Sequence, residues 1–182
     1  MLLEYLDYVL NQAAFEKHFP NGVRDQGKAG RRLQDFVNDP IAVEAGLTQA
    51  HVLALRLYST PAFRCLNEPM RDESRRESGR PHPLPTCMAF LEDGIKMLRV
   101  IDALAPQATD CTLRPPPLWR GMRNMFVKDE FLVSGGTDFS CMSTTPSLHV
   151  AAHYALSEDC LLLKMITKNA LMRGGEPFLF ES

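Results

Sequence analysis

The feature of this sequence that most constrains its fold is a change in hydrophobic period part-way along the chain. Apolar residues between Met88 and Leu104 recur at intervals of three and four, which predicts a long amphipathic helix that ends before Pro106. After Asp110 the pattern changes to short apolar runs bounded by proline pairs and glycine pairs, which is typical of strands. Helices followed by strands predict an α+β fold, because a doubly wound sheet would alternate the two.

The N-terminal part contains other predicted helices. Apolar positions at helical spacing predict a helix from Leu2, and a short helix is predicted over residues 31–37 with another starting at Pro40. Thr48 is a suitable N-cap for the next helix. Residues 72–85 are polar and rich in glycine and proline, so we predict a solvated loop there.

The composition is that of a globular protein. Of the 182 residues, 45% are hydrophobic and 23% are charged, which suffices for a packed core. We predict a single domain over residues 1–182, mainly helical over 1–110 and sheet-rich over 111–182, with its final strands missing. Basic and acidic residues nearly balance at a net charge of -2, so the composition indicates no nucleic-acid partner.

The sequence shows no pattern of a membrane span or a metal site. Its apolar runs are far shorter than the roughly 18 residues that a spanning helix needs. The five cysteines are scattered and include no Cys-x-x-Cys pair, so we expect reduced thiols and no metal ligation. Reduced thiols and the lack of a visible export signal favour a cytoplasmic location.

An arginine within an apolar strand is the first candidate functional residue. Arg120 lies in the predicted strand Leu118–Met122 and is followed by Gly121. A guanidinium in apolar surroundings needs an anionic partner. That partner is either an internal carboxylate, in which case Arg120 is structural, or an anionic ligand, and the strand alone favours neither.

Three consecutive hydroxyl residues are the second candidate. A turn at Gly135-Gly136 leads into a predicted strand that ends at Ser143, Thr144 and Thr145, just before Pro146. Hydroxyl groups at the end of a strand can bind a ligand or orient other side chains. Ser143 or Thr145 can equally cap a helix that starts at Pro146.

An aromatic residue and another strand follow these hydroxyls. Tyr154 falls on the predicted helix, where an aromatic side chain is ordinarily part of the core, and residues 161–166 form the next predicted strand. The order of these motifs resembles the arginine-serine-glutamate class of mono-ADP-ribosyltransferases, to which clostridial toxins belong. The likeness extends from about Gly30 to Gly174 and is strongest to protist-type eukaryotic members.

The resemblance implies roles for particular residues. Arg120 would hold the phosphates of NAD and Ser143 would support the nicotinamide pocket, so these two are the catalytic residues implied. Tyr154 would pack beside the nicotinamide ring, in a position where phenylalanine is common. The other cofactor contacts implied in this part are Gly121, Thr144 and Thr145, of which Thr145 stands where the family usually has serine.

A second match lies in the segment Tyr58–Arg71, which is similar to a helical segment that lines the cofactor cleft of the family. The resemblance implies that Tyr58, Phe63, Asn67 and Arg71 face the dinucleotide, with Phe63 replacing a frequent tyrosine. Aromatic faces suit nicotinamide or adenine, and arginines suit the pyrophosphate. A pair of helices that simply forms a core explains Tyr58 equally well.

For the whole chain the resemblance implies an ADP-ribosyltransferase fold, with an N-terminal helical layer and two small packed sheets around an NAD cleft. NAD would be the substrate, a protein of unknown identity would be the acceptor, and nicotinamide would be released. The reaction would need no metal ion.

The family's catalytic glutamate follows an Arg-Gly pair, which is Arg173-Gly174 here, but no Glu-x-Glu follows that pair. We therefore expect a chain that is incomplete for catalysis, with Glu176 and Glu181 as the candidates to replace that carboxylate. Two alternatives stay open at this point. The chain is a pseudoenzyme that binds NAD without cleaving it, or it is a helical interaction module in which all these residues are structural.

Overall fold

The computed structural model of the protein describes residues 2–11, 31–104, 117–127 and 129–166. These residues fold into two compact units: a helical unit that contains the described residues up to 104, and a sheet unit that contains those from 117 onward. The predicted α+β class is confirmed, since helices and a small antiparallel sheet occur together.

The helical unit is built around one central helix. Its helices in chain order are α1 (Leu2–Asn11), α2 (Leu33–Val37), α3 (Pro40–Glu44), α4 (Gln49–Tyr58), α5 (Phe63–Arg71), α6 (Glu73–Glu77) and α7 (Pro85–Leu104). Helix α4 packs against α1, α2, α5 and α7. It is buried along most of its length, so its side chains form the middle of the core of this unit.

Helix α4 begins at Gln49, with Thr48 as its N-cap, as predicted. The Thr48 hydroxyl accepts a hydrogen bond from the backbone N–H of His51 at 3.4 Å, and the Thr48 N–H donates to Nδ1 of His51 at 3.0 Å. This reciprocal pair is a capping box. Because Nδ1 accepts, Nε2 of His51 carries the hydrogen, and it lies 3.1 Å from Oδ2 of Asp93 on α7. One buried imidazole therefore caps α4 and joins it to α7.

The long helix predicted from Met88 to Leu104 is confirmed as α7, which starts slightly earlier, at Pro85. It approaches α4 closely at Gly94, where an added Cβ atom would lie 3.0 Å from Cδ1 of Leu55. A residue without a side chain lets the two helices pack at this distance.

The loop predicted over residues 72–85 is only partly correct, because α6 forms one short helical turn within it. The Asp72 carboxylate accepts hydrogen bonds from the Ser74 hydroxyl at 2.7 Å and from the Arg75 backbone N–H at 3.2 Å. This N-cap, led by the Ser74 hydroxyl, lowers the pKa of Asp72. No residue of α6 is buried, so the predicted exposure holds while the predicted loop does not.

The sheet unit contains β1 (Leu118–Arg123), α8 (Asp129–Ser134), α9 (Leu148–Ala155) and β2 (Cys160–Met165). The two strands pair antiparallel, with Leu118 opposite Met165 and Arg123 opposite Cys160. Both strands were predicted, and both predictions are confirmed. The short helix α8 was not predicted.

The strand predicted to end in Ser143-Thr144-Thr145 is wrong. Residues 137–144 form no strand, and within this segment Thr145 alone pairs with β1, through an antiparallel bridge to Trp119. The two backbone hydrogen bonds of this bridge measure 2.7 Å and 2.9 Å. β1 therefore lies between β2 on one side and the hydroxyl segment, Ser143-Thr144-Thr145, on the other.

The helix after the hydroxyl segment starts later than predicted. Its N-cap is Ser147, whose hydroxyl accepts a hydrogen bond from the Val150 N–H at 3.3 Å, and α9 begins at Leu148 rather than at Pro146. The Thr145 hydroxyl instead accepts from the Ser147 N–H at 3.2 Å, one turn before the helix. The cap predicted at Ser143 or Thr145 is therefore corrected to Ser147.

Candidate functional site

Arg120 and Ser143 contact each other in the sheet unit. Nη1 of Arg120 donates a hydrogen bond to the backbone carbonyl oxygen of Ser143 at 3.0 Å, across 23 residues of sequence. Arg120 is half-buried and Ser143 is exposed. The first two residues of the predicted site are thus neighbours in space, with the guanidinium beside the hydroxyl segment.

The pairing of Trp119 with Thr145 fixes this neighbourhood. Because the bridge holds Thr145 beside β1 through two backbone hydrogen bonds, Ser143 and Thr144 come close to the residue that follows Trp119 in the strand. Thr144 is exposed and Thr145 is half-buried. The segment brings hydroxyl groups and a guanidinium to one edge of β1, and both kinds of group bind phosphate oxygens.

Gly121 is required by the packing of α9. An added Cβ atom would overlap the carbonyl oxygen of Ala151 and would lie 2.9 Å from the backbone nitrogen of Ala155. The backbone of α9 therefore rests directly on β1 at this point. Since side chains alternate along a strand, Trp119, Gly121 and Arg123 share the face that α9 covers, and Arg120 leaves from the other face.

Arg123 holds the last turn of α9. Its Nε donates to the carbonyl oxygen of Tyr154 at 3.1 Å, and its Nη2 donates to that of His153 at 3.4 Å. Tyr154 is 49% exposed, and its ring meets the His153 ring edge-on with a centroid distance of 6.2 Å. Tyr154 is therefore an exposed residue of the sheet unit and not the core residue that its position on a helix would ordinarily predict.

Of the predicted cofactor residues of the helical unit, Phe63 and Asn67 on α5 both contact Tyr58 at the end of α4. Tyr58 and Asn67 are 6% and 2% exposed, and Nδ2 of Asn67 donates to the Tyr58 hydroxyl at 3.4 Å. Phe63 meets Tyr58 edge-on with a centroid distance of 6.4 Å, and Arg71 is exposed at the end of α5. The burial of Tyr58 and Asn67 fits the alternative in which these helices form a core. Phe63 and Arg71 are the more accessible of these four residues.

Two polar residues of the core were missed from the sequence. Arg56 is fully buried in α4, and its guanidinium carbon lies 4.2 Å from the centroid of the Phe36 ring. His51 is 6% exposed and joins α4 to α7. The spacing of Thr48 and His51 is that of a capping box, and Arg56 is flanked by two leucines, so both had a signal in the sequence.

A shallow depression of about 340 Å³ lies on the surface of the helical unit, along α7. It is lined by Ala89, Phe90, Glu92, Asp93 and Lys96, none of which is a predicted site residue. Lys96 donates to Glu92 within the depression at 2.6 Å. The depression follows the exposed side of one helix and does not contribute to the predicted site.

Two further observations concern the described part of the chain only. Over residues 2–11, 31–104, 117–127 and 129–166, no group of three or more His, Cys, Asp or Glu side chains could hold a metal ion. Among the helices in those same ranges, none is long and apolar enough to cross a membrane. Glu176 and Glu181 lie outside the described residues.

Comparison with known proteins identifies no relative. No protein-family model, no curated protein and no solved structure matches this chain.

Proposed function

We propose that this chain is an NAD-binding member of the mono-ADP-ribosyltransferases, in which the sheet unit holds the phosphates and the nicotinamide ribose of NAD. The reaction proposed is transfer of ADP-ribose from NAD to a protein acceptor with release of nicotinamide. The observation that carries the proposal is the 3.0 Å hydrogen bond from Arg120 to the Ser143 carbonyl, because it joins the two motifs on which the sequence resemblance depends.

The chemistry of the two residues suits a dinucleotide. The guanidinium of Arg120 is a planar donor group that matches phosphate oxygens, and its charge compensates the pyrophosphate. Its bond to the Ser143 carbonyl fixes the orientation of the guanidinium before a ligand arrives, which lowers the entropic cost of binding. The exposed Ser143 and Thr144 side chains supply hydroxyl groups next to it.

Turnover needs one further group. When nicotinamide leaves, positive charge develops on the ribose, and a carboxylate stabilises that charge in glycosyl transfer. Glu176 and Glu181 are the candidates in the sequence for this carboxylate. Binding and nicotinamide release are therefore separate properties, and a pseudoenzyme would keep the first without the second.

The test is a calorimetric titration of the full chain with NAD, with nicotinamide release measured in the same samples. Arg120→Ala should weaken NAD binding by about tenfold or more, because it removes charge-assisted hydrogen bonds to phosphate. Lys164→Met is the matched control. Lys164 lies opposite Trp119 in the sheet, on the face away from Arg120, so this variant removes one positive charge from the same sheet without changing the guanidinium.

The outcomes separate the candidate functions. Binding that Arg120→Ala weakens and Lys164→Met leaves within twofold supports the proposal, and nicotinamide release then distinguishes an enzyme from a pseudoenzyme. A folded chain that binds no NAD, or one whose affinity is unchanged in Arg120→Ala, overturns it. Ser143→Ala tests the Ser143 hydroxyl alone. The hydrogen bond from Arg120 goes to the backbone of Ser143 and is kept in this variant.

A further inference from the structure

We infer that Arg123 is a positioning residue for Tyr154, which it holds in place for the nicotinamide end of NAD. The inference rests on the proposed function, since Tyr154 contacts NAD only if that proposal is correct. It adds a residue that neither motif contains, at the end of β1 and two positions after the Arg-Gly pair.

Arg123 contacts the end of helix α9 directly. Arg123 donates two hydrogen bonds to carbonyl oxygens in the last turn of α9, at 3.1 Å from Nε to Tyr154 and at 3.4 Å from Nη2 to His153. The last four carbonyls of a helix have no partner within the helix, so an external donor at this end satisfies groups that the helix leaves open. A cation there also compensates the negative end of the helix dipole.

The next residue strengthens the same junction. The backbone N–H of Asn124 donates to the Ser157 hydroxyl at 3.1 Å, and that hydroxyl lies 3.1 Å from the carbonyl oxygen of Ala155. Asn124 has a φ of 51°, a left-handed conformation that asparagine tolerates better than most residues. The end of β1 is therefore joined to the end of α9 by consecutive residues, Arg123 through its side chain and Asn124 through its backbone.

This junction adds to the packing that holds α9. At Gly121 the backbone of the helix lies directly on the strand at Ala151, and Arg123 adds side-chain contacts at the last turn of the helix. Tyr154 projects from the last turn, 49% exposed, and is not held by burial. The bonds from Arg123 to the carbonyl oxygens of Tyr154 and His153 thus hold the backbone from which the Tyr154 ring projects.

The experiment is a double-mutant cycle on NAD affinity in the full chain. Wild type, Arg123→Ala, Tyr154→Ala and the double variant are titrated with NAD. Arg123→Ala should weaken binding about fivefold in the wild-type background, because the last turn of α9 loses two hydrogen bonds and must then be ordered when NAD binds. In the Tyr154→Ala background it should have no further effect, because residues that act through one another are not additive. Arg123→Lys, which keeps the charge and one donor, should recover part of the loss.

Whether each variant is folded is measured separately. Trp119 is the single tryptophan of the chain and lies in β1, so its fluorescence during urea unfolding reports whether the sheet unit of each variant is folded at the temperature of the titration. If Arg123→Ala does not fold, Arg123→Gln and Arg123→Lys take its place in the cycle.

The possible results distinguish the inference from the proposed function. A folded wild-type chain that binds no NAD overturns both. Binding by wild type with no loss in Arg123→Ala, or with an equal fold loss in both backgrounds, overturns the role of Arg123 and leaves the proposed function standing. Only a loss confined to the background that contains Tyr154 supports the inference.

Discussion

The backbone of Gly121 in β1 meets the backbone of Ala151 in α9 so closely that a Cβ atom on Gly121 would overlap the Ala151 carbonyl oxygen. This contact seats the helix that carries Tyr154 on the strand that carries Arg120. The glycine after the arginine is thus explained by helix packing, whether or not a ligand also approaches it.

Gly121→Ala should therefore destabilise the sheet unit, by about 1–3 kcal/mol or more, because overpacking against backbone atoms cannot be relieved by rotating a side chain. The measurement is urea unfolding followed by the fluorescence of Trp119, two residues away in the same strand. The double variant Gly121→Ala/Ala151→Gly should be no more stable, since the overlap involves the carbonyl group of residue 151 and not its methyl group.

Gly94→Ala is the contrasting variant in the helical unit. Its Cβ would lie 3.0 Å from the side chain of Leu55, which can shift, and alanine favours a helix interior by about 1 kcal/mol over glycine. We expect the free energy of unfolding to change by no more than about 1 kcal/mol. Urea unfolding monitored by far-ultraviolet circular dichroism measures this change. If Gly121→Ala were instead as stable as wild type, α9 would not rest on the strand as described.

Thr48→Ala should destabilise the helical unit by about 1 kcal/mol through loss of the N-cap of α4. Thr48→Ser is the control, because it keeps the hydroxyl that accepts from the His51 N–H. Urea unfolding monitored by circular dichroism compares the two variants. If they unfold at the same urea concentration, the Thr48 hydroxyl does not contribute the cap.

The Asp72 carboxylate should titrate below the ordinary range of an aspartate, because the hydrogen bond from Ser74 and then that from the Arg75 backbone lower its pKa. The lowered pKa means that its capping contribution is present above the ordinary aspartate range and is lost as the pH falls through the lowered value. Carbon-13 NMR of the carboxyl group gives the midpoint. Ser74→Ala should raise it more than Arg80→Ala does, and the reverse order would contradict the assignment of causes.

Burial raises the pKa of the Cys87 thiol, so less of it is thiolate at a given pH. Iodoacetamide should therefore modify Cys87 more slowly than the exposed Cys160 at every pH from 7 to about 9, as mapped by mass spectrometry of peptides. Unfolding in urea should remove the difference, which serves as the control. Similar rates for the two thiols in the folded chain would be inconsistent with the burial of Cys87.

Elements whose cause is local or strongly periodic could be predicted from the sequence. The apolar spacing of α7 and the cap at Thr48 specify their helices without reference to the rest of the chain. The apolar runs of β1 and β2 also stand out. The exception among local features is α6, where a single carboxylate, that of Asp72, starts a helix within a polar stretch that otherwise has loop composition.

Features that depend on a distant partner could not be predicted in the same way. Residues before Ser143 have strand-like composition, but a strand needs a paired neighbour, and only Thr145 reaches Trp119. The resemblance of their motifs implied that Arg120 and Ser143 serve one site, but it did not predict the hydrogen bond between Arg120 and the Ser143 carbonyl. The role of Arg123 had no sequence signal, because its partners are carbonyl groups some 30 residues away, which carry no residue identity.

The geometry of the residues from Gly121 to Asn124 limits which substitutions each position accepts. Position 121 admits no side chain, position 123 needs a long donor that reaches carbonyl groups, and position 124 adopts a φ of 51°, which few residues other than glycine, asparagine and aspartate accept readily. A library randomised over these positions and selected only for folding would therefore recover a narrow set at three of the four sites. Position 122 would vary freely among apolar residues, so tolerance to mutation along β1 would map the outline of the helix that lies across it.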